Sequence, residues 1–122
     1  MSIDKNLLDQ RFKKFALTVV MFIKTLPRTE ENRIYGRQVI RSSSSIGANY
    51  AEAIFAQTRQ EFIHCLKISR KEANESIYWL SLIKEVNPGC KNKLEEIIDE
   101  NTQILKILVS SVKTLNAKNG SL

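Results

Sequence analysis

The stretch RSSSSIGANYAEA, Arg41–Ala53, decides the fold. It holds four consecutive serines, Gly47 and three alanines, and Ile46 and Tyr50 are its only bulky apolar residues. Such a composition suits either a flexible linker or a helix whose side chains are kept small. The flanking residues decide between them. Ile34, Ile40, Ile46, Tyr50, Ile54 and Phe55 hold a helical stripe straight through the serines, and a Gly/Ser linker would lose that register. Serine and glycine are poor helix formers, glycine by about 1 kcal/mol relative to alanine. A closely packed neighbouring backbone has to offset that loss. The spacing predicts a helix over about 30–56.

The neighbour is the next segment, about 58–86. Thr58 with Glu61 three residues later forms a capping box. Phe62, Leu66, Ser69, Ala73, Ile77, Leu80 and Ile83 follow helical spacing. Its middle, Ser69, Ala73 and Ser76, is again small, as two closely packed helices require. Tyr78, Trp79 and Leu82 form a bulkier patch beyond it. Upstream, Leu8, Phe12, Phe15, Val19, Phe22 and Leu26 recur at alternating steps of four and three, the seam of a bundle helix over about 5–26. Pro27 ends it, Thr29 can cap the helix that follows, and Glu30 and Glu31 complement its dipole. Asn87-Pro88-Gly89 turns the chain again. Leu94, Ile97, Asn101, Ile104, Leu108, Ser111 and Leu115 then define a helix over about 91–117, followed by a frayed tail, 118–122. Asn101 interrupts that seam, and a buried Asn can fix register. The expected architecture is one all-α domain, 1–122, folded as an antiparallel up-down-up-down four-helix bundle. The adjacent apolar pairs of the last segment, such as Ile104/Leu105 and Leu108/Val109, suggest surface buried against another subunit.

Composition narrows the function. With 122 residues, 43% of them hydrophobic, the chain builds one core. It has no run long enough to span a membrane and no signal-peptide pattern, so a cytoplasmic protein is expected. Cys65 and Cys90 read as plain thiols. The formal charge is +6 and is uneven, with nine Lys/Arg against four acids in residues 1–41. That imbalance favours polyanionic partners, of which nucleic acid is the commonest.

Catalytic and metal chemistry find no constellation. Glu61-Phe62-Ile63-His64 has the E-x-x-H spacing of di-iron bundles, but such sites need two copies and two further glutamates, and His64 is the only histidine. It reads as a surface histidine beside a capping glutamate. Cys65 and His64 point about 100° apart on a helix, and the serines lack a base. The glycines form no phosphate loop. The expectation is a non-enzymatic protein with no metal and no cofactor.

Two longer motifs are familiar. Arg41, Ser45, Ile46, Asn49, Ala51 and Glu52 match R-x-x-x-S-I-x-x-N-I-A-E-G, with Tyr50 in place of the usual Ile and Ala53 in place of the usual Gly. Glu61, Phe62, Leu66, Ile68, Glu72, Ala73, Glu75, Tyr78, Trp79 and Leu80 fit E-F-x-x-x-L-x-I-A-x-x-E-A-x-E-x-x-Y-W-L, with Ser69 for the usual Ala. The chain thereby resembles the four-helix-bundle family of 23S rRNA intervening-sequence proteins over nearly its whole length. The resemblance implies a homopentamer with a central channel. It also implies kinship with the basic pentameric accessory proteins of diversity-generating retroelements, which bind a reverse transcriptase and nucleic acid. Ala53 for Gly suggests that the second helix runs on.

Arg41, Ser45, Asn49 and Glu52 fall on one polar line of the second helix, joined through the second motif by Glu72 and Glu75. This is read as a buried or interfacial network, with Glu52 satisfied by Arg41, Arg70 or a neighbouring subunit, in preference to the alternative of a ligand site. Lys13, Lys14, Lys24, Arg33, Arg37 and Arg41 are the candidate nucleic-acid contacts, repeated by symmetry and combined by avidity. Two functions remain: an oligomeric nucleic-acid-binding accessory protein, or a protein–protein scaffold, for example for a reverse transcriptase, docking on Tyr35, Tyr78 or Trp79.

Overall fold

Proline and two threonines set the boundaries. The structure, a computed structural model, describes residues 5–120. It contains α1 (Lys5–Ile23), α2 (Glu30–Ile54), α3 (Arg59–Val86) and α4 (Lys91–Gly120), with a single 3₁₀ turn (Pro88–Cys90) before α4. Thr29 Oγ1 accepts from Asn32 N–H and Thr58 Oγ1 accepts from Glu61 N–H, each such cap contributing about 1 kcal/mol. The carboxylate of Glu61 reaches back one residue further than an ideal capping box, accepting from Gln57 N–H at 3.0 Å.

The helix ends differ from the sequence expectation for local reasons. α1 stops at Ile23 rather than Leu26 because Pro27 disfavours helical geometry just before it. The chain closes instead with Thr25 N–H to Phe22 O and Leu26 N–H to Ile23 O. α2 runs past Ala53 only as far as Ile54, short of the expected 56: Phe55 N–H and Ala56 N–H bond to Glu52 O and Ala53 O, tightening the last turn. No described residue, glycine or other, has positive φ. The turn after α2 therefore needs no left-handed residue, and alanine suffices where the motif has glycine. α4 continues through Gly120, beyond the expected end at 117. Of the expected frayed tail, the last two residues lie outside the described residues.

Each helix packs on its neighbours in sequence, and α4 returns to α1. The core takes Phe12, Phe15, Val19 and Phe22 from α1, Val39, Ile46, Tyr50 and Ala53 from α2, Leu66, Ala73, Leu80 and Ile83 from α3, and Leu94, Ile97, Ile104, Leu108 and Val112 from α4. Each large apolar side chain buried this way contributes about 1.5–3 kcal/mol. Phe12 meets Tyr50 edge to face, ring centroids 5.1 Å apart.

The serine stretch is helix, and its small side chains bring α2 against α3. Ser42 Oγ lies 2.7 Å from Ser76 Oγ, and Ser69 Oγ donates to Ile46 O at 2.7 Å. Ser42, Ser43, Ser69 and Ser76 are all buried, and all have hydrogen bonds, as buried hydroxyls require. Ile34 and Phe55, expected on the buried stripe of α2, are exposed, Phe55 by 84%, and Val39 takes the core position instead. Asn101 is fully buried in the seam. Its Nδ2 donates to Ala73 O at 2.9 Å, which pins α4 to the small middle of α3, while Oδ1 has no partner among the described residues. Gly36 and Gly47 mark where α1 crosses α2 closely: a Cβ at Gly36 would stand 2.8 Å from Ile23 Cγ2, and one at Gly47 3.2 Å from Phe12 Cβ.

Candidate nucleic-acid interface

Arg41 projects from α2 across α3. Its Nη1 donates to Glu72 Oε2 at 3.0 Å and its Nη2 to Glu75 Oε2. The same Glu75 oxygen accepts from Trp79 Nε1 at 2.9 Å, and Trp79 stacks on Tyr35 with ring centroids 6.0 Å apart. The guanidinium is thus held by two carboxylates, one of which also fixes the indole. This geometry ties α2 to α3, while the Arg41 side chain stays 48% exposed.

Of the polar line read from the sequence, the structure brings together Arg41, Glu72 and Glu75. It does not bring in the rest. Asn49 Nδ2 bonds back to Ser45 O of its own helix at 2.8 Å, and Glu52 is exposed and outside the ion pairs.

The other candidate contacts fall in separate places. Lys13 is paired with Asp9 one turn earlier, and Arg33 with Glu30; exposed pairs of this kind contribute little. Lys13 and Lys14 line an open groove of about 920 Å³ between α1 and the start of α4, with Lys93 on the opposite rim. Lys24 and Arg33 share the corner between α1 and α2 with Arg28. Arg37 is exposed one turn along α2 from Arg33. No single groove of the chain is lined by all six.

The carboxylates are largely engaged elsewhere. Glu100 takes two hydrogen bonds from Arg11, from Nε at 2.9 Å and Nη2 at 2.8 Å, and Arg11 Nη2 also donates to Gln103. This clamp ties α1 to α4. The hydrogen bond to Glu100 raises the Arg11 pKa above its already high ordinary value, against the opposing effect of burial. Glu95 and Glu96 stand near Lys91 and Lys93.

A second basic cluster escaped the sequence reading. His64, Lys67, Arg70 and Lys71 of α3 line an open groove against α4. The signal was present, since His64, Lys67 and Lys71 recur at steps of three and four. Among the described residues no three His, Cys, Asp or Glu side chains group closely enough to hold a metal. No described helix is long and apolar enough to cross a membrane.

The comparisons with known proteins agree with this architecture. A solved structure of a protein of unknown function of the S23 ribosomal protein family, from Bacteroides thetaiotaomicron VPI-5482, is 36% identical to this chain. It superposes with a TM-score of 0.82, over 91% of this chain and 99% of that one. No curated protein matches. The family model for the 23S rRNA-intervening sequence protein matches residues 5–110. With both long motifs on one packed α2–α3 pair, the chain belongs to the 23S rRNA-intervening sequence protein family.

Proposed function

We propose that the protein is a non-enzymatic, oligomeric accessory factor that binds structured RNA or DNA through the phosphate backbone, in an rRNA intervening-sequence or retroelement context. The observation that carries this reading is where the charge is left over. Glu72, Glu75 and Glu100 serve internal clamps, and Asp9, Glu30, Glu95 and Glu96 stand beside lysines or arginines. Lys14, Lys24, Arg28 and Arg37 are exposed or rim a groove, with no acid paired to them among the described residues. A few such phosphate contacts per subunit give weak binding that depends steeply on salt, and repetition in a homopentamer raises it by avidity.

Assembly draws support from α1. Leu17 and Met21 are 65% and 63% exposed on the rim of the α1–α4 groove, one turn apart. The expected self-contact on α4 has less behind it: Ile97, Ile104 and Leu108 are spent in the subunit's own core, and Val109 alone of those pairs is exposed. A second reading, a protein scaffold, is favoured by Tyr78. It stands 58% exposed against Trp79, the kind of aromatic that anchors protein interfaces.

Light-scattering mass of the purified protein, with and without a structured RNA, at low and high salt, tests both. A pentamer that gains RNA mass at low salt and loses it at high salt is the expected result. A pentamer indifferent to RNA and DNA selects the scaffold, and a monomer removes the avidity on which the nucleic-acid reading depends.

A further inference from the structure

We infer that the groove between α3 and α4 is a phosphate-binding track that seats the backbone of one nucleic-acid strand. The inference deepens the nucleic-acid reading and rests on it, but it places the contacts on a different face from the α1–α2 lysines and arginines. The groove has a volume of about 610 Å³. His64, Lys67, Arg70, Lys71 and Asn74 line it, and no carboxylate does. Lys67, Arg70 and Lys71 form no ion pair among the described residues, in contrast to Arg11, Arg33 and Arg41.

The spacing suits a strand. His64, Lys67, Lys71 and Asn74 succeed one another at steps of three, four and three, so they share one face of α3. Ten residues of helix cover about 15 Å at about 1.5 Å per residue, several times the about 3.4 Å of axial rise per phosphate in one strand of a duplex, so the face is long enough to meet more than one phosphate. Every one of these side chains can donate hydrogen bonds to phosphate oxygens, the imidazole N–H of His64 included. Lys67 and Lys71 supply unpaired positive charge, and Arg70 can bind phosphate with a fork.

The floor decides against a protein occupant. It is aliphatic, from Ile68 of α3 and Leu105 and Val109 of α4, but Ile68 and Leu105 are half-buried and only Val109, at 41%, is exposed. That is too little to anchor the apolar face of a partner helix, which needs several anchors at i, i+3, i+4 and i+7. It is enough to lie beneath a ribose. The groove offers no aromatic platform and no base-reading pattern, so the binding is expected to follow backbone charge, not base sequence.

The test is titration of a short single-stranded RNA into the full protein over a series of salt concentrations, for wild type, Lys67→Gln/Lys71→Gln and Lys84→Gln/Lys91→Gln. The last pair carries the same charge change at the far ends of α3 and α4. The α3-groove variant is expected to lower the slope of log affinity against log salt by about 1.4, at about 0.7 per lost single-strand phosphate contact, with its unfolding midpoint unchanged. The distant pair is expected to keep the wild-type slope. Wild-type binding with equal slopes in all three proteins overturns the groove and leaves the nucleic-acid reading standing. So does unchanged RNA binding accompanied by loss of binding to an acidic amphipathic peptide, which assigns the groove to a protein. Absence of RNA binding by the wild type overturns both.

Discussion

Asn32 and Asn87 face each other as a closed amide pair. Asn32 Nδ2 donates to Asn87 Oδ1 at 2.9 Å and Asn87 Nδ2 donates to Asn32 Oδ1 at 2.7 Å. The second hydrogens go to Pro27 O and Ile83 O. The pair is buried and joins the α1–α2 corner to the end of α3, the two connections at that end of the bundle. Removing one amide leaves the other with unmet groups in a buried site, so Asn32→Ala or Asn87→Ala is expected to cost about 1–3 kcal/mol. The double variant should cost clearly less than the sum. Urea unfolding of the four proteins in the cycle measures this, and additive losses would refute the coupling.

Gly36 sits where α2 passes the end of α1. Alanine there gains up to about 1 kcal/mol of helix propensity, but its methyl would stand 2.8 Å from Ile23 Cγ2, and overpacking of this kind costs about 1–3 kcal/mol. Gly36→Ala is expected to be net destabilising. Ile23→Ala in the same chain should recover part of the loss by vacating the space. A midpoint for Gly36→Ala above that of the wild type would show that Ile23 simply moves aside.

The Arg11–Glu100 clamp predicts a flat pH response on the basic side. A group whose pKa is raised on folding contributes stability that is complete below its unfolded value and is lost only as pH rises through the folded value. For Arg11 both lie at the alkaline extreme, so its contribution should not change between about pH 6 and 10, where arginine stays charged. Arg11→Ala is expected to cost about 1 kcal/mol, since both side chains are a third exposed and screened. Unfolding curves of wild type and variant across that range should therefore stay parallel. A difference that changes with pH there would point to another titrating group in the clamp.

Leu17 and Met21 test the assembly. Both are exposed in the isolated subunit, so Leu17→Glu/Met21→Glu should leave the helical circular dichroism and unfolding midpoint of the subunit nearly intact. It should at the same time lower the light-scattering mass toward one chain. A variant that keeps the full oligomeric mass would move the contact off α1.

Much of the bundle was legible because period and residue size are local properties. The small middles of α2 and α3 announced their contact, and Thr58 with Glu61 announced a helix start. What escaped depends on angles and on long-range partners. Ile34 lies five residues before Val39, about 140° around the helix at about 100° per residue, so taking it as a core position obscured the true one. Asn32 and Asn87 are 55 residues apart, and nothing in either local sequence names the other. Arg41 had several carboxylates within reach on paper, and only the packing of α2 on α3 selects Glu72 and Glu75 over Glu52. The α3 groove is hidden in the sequence because charge counts do not show which cations the fold leaves without an acid. It becomes visible when each cation is asked whether an acid already holds it.

Helices adjacent in sequence pack together along most of the bundle, and α1 against α4 is the sparsest of the four α-helix pairings. Short connections close small loops, which favours rapid folding, whereas joining α1 to α4 must order nearly the whole chain. The α2–α3 hairpin, with its interlocked serines, is expected to nucleate folding. Arg11 and Glu100, separated by 89 residues, would fasten last. Arg11→Ala should then hasten unfolding while leaving the refolding rate almost unchanged, which makes this clamp a determinant of how long the native fold persists once formed.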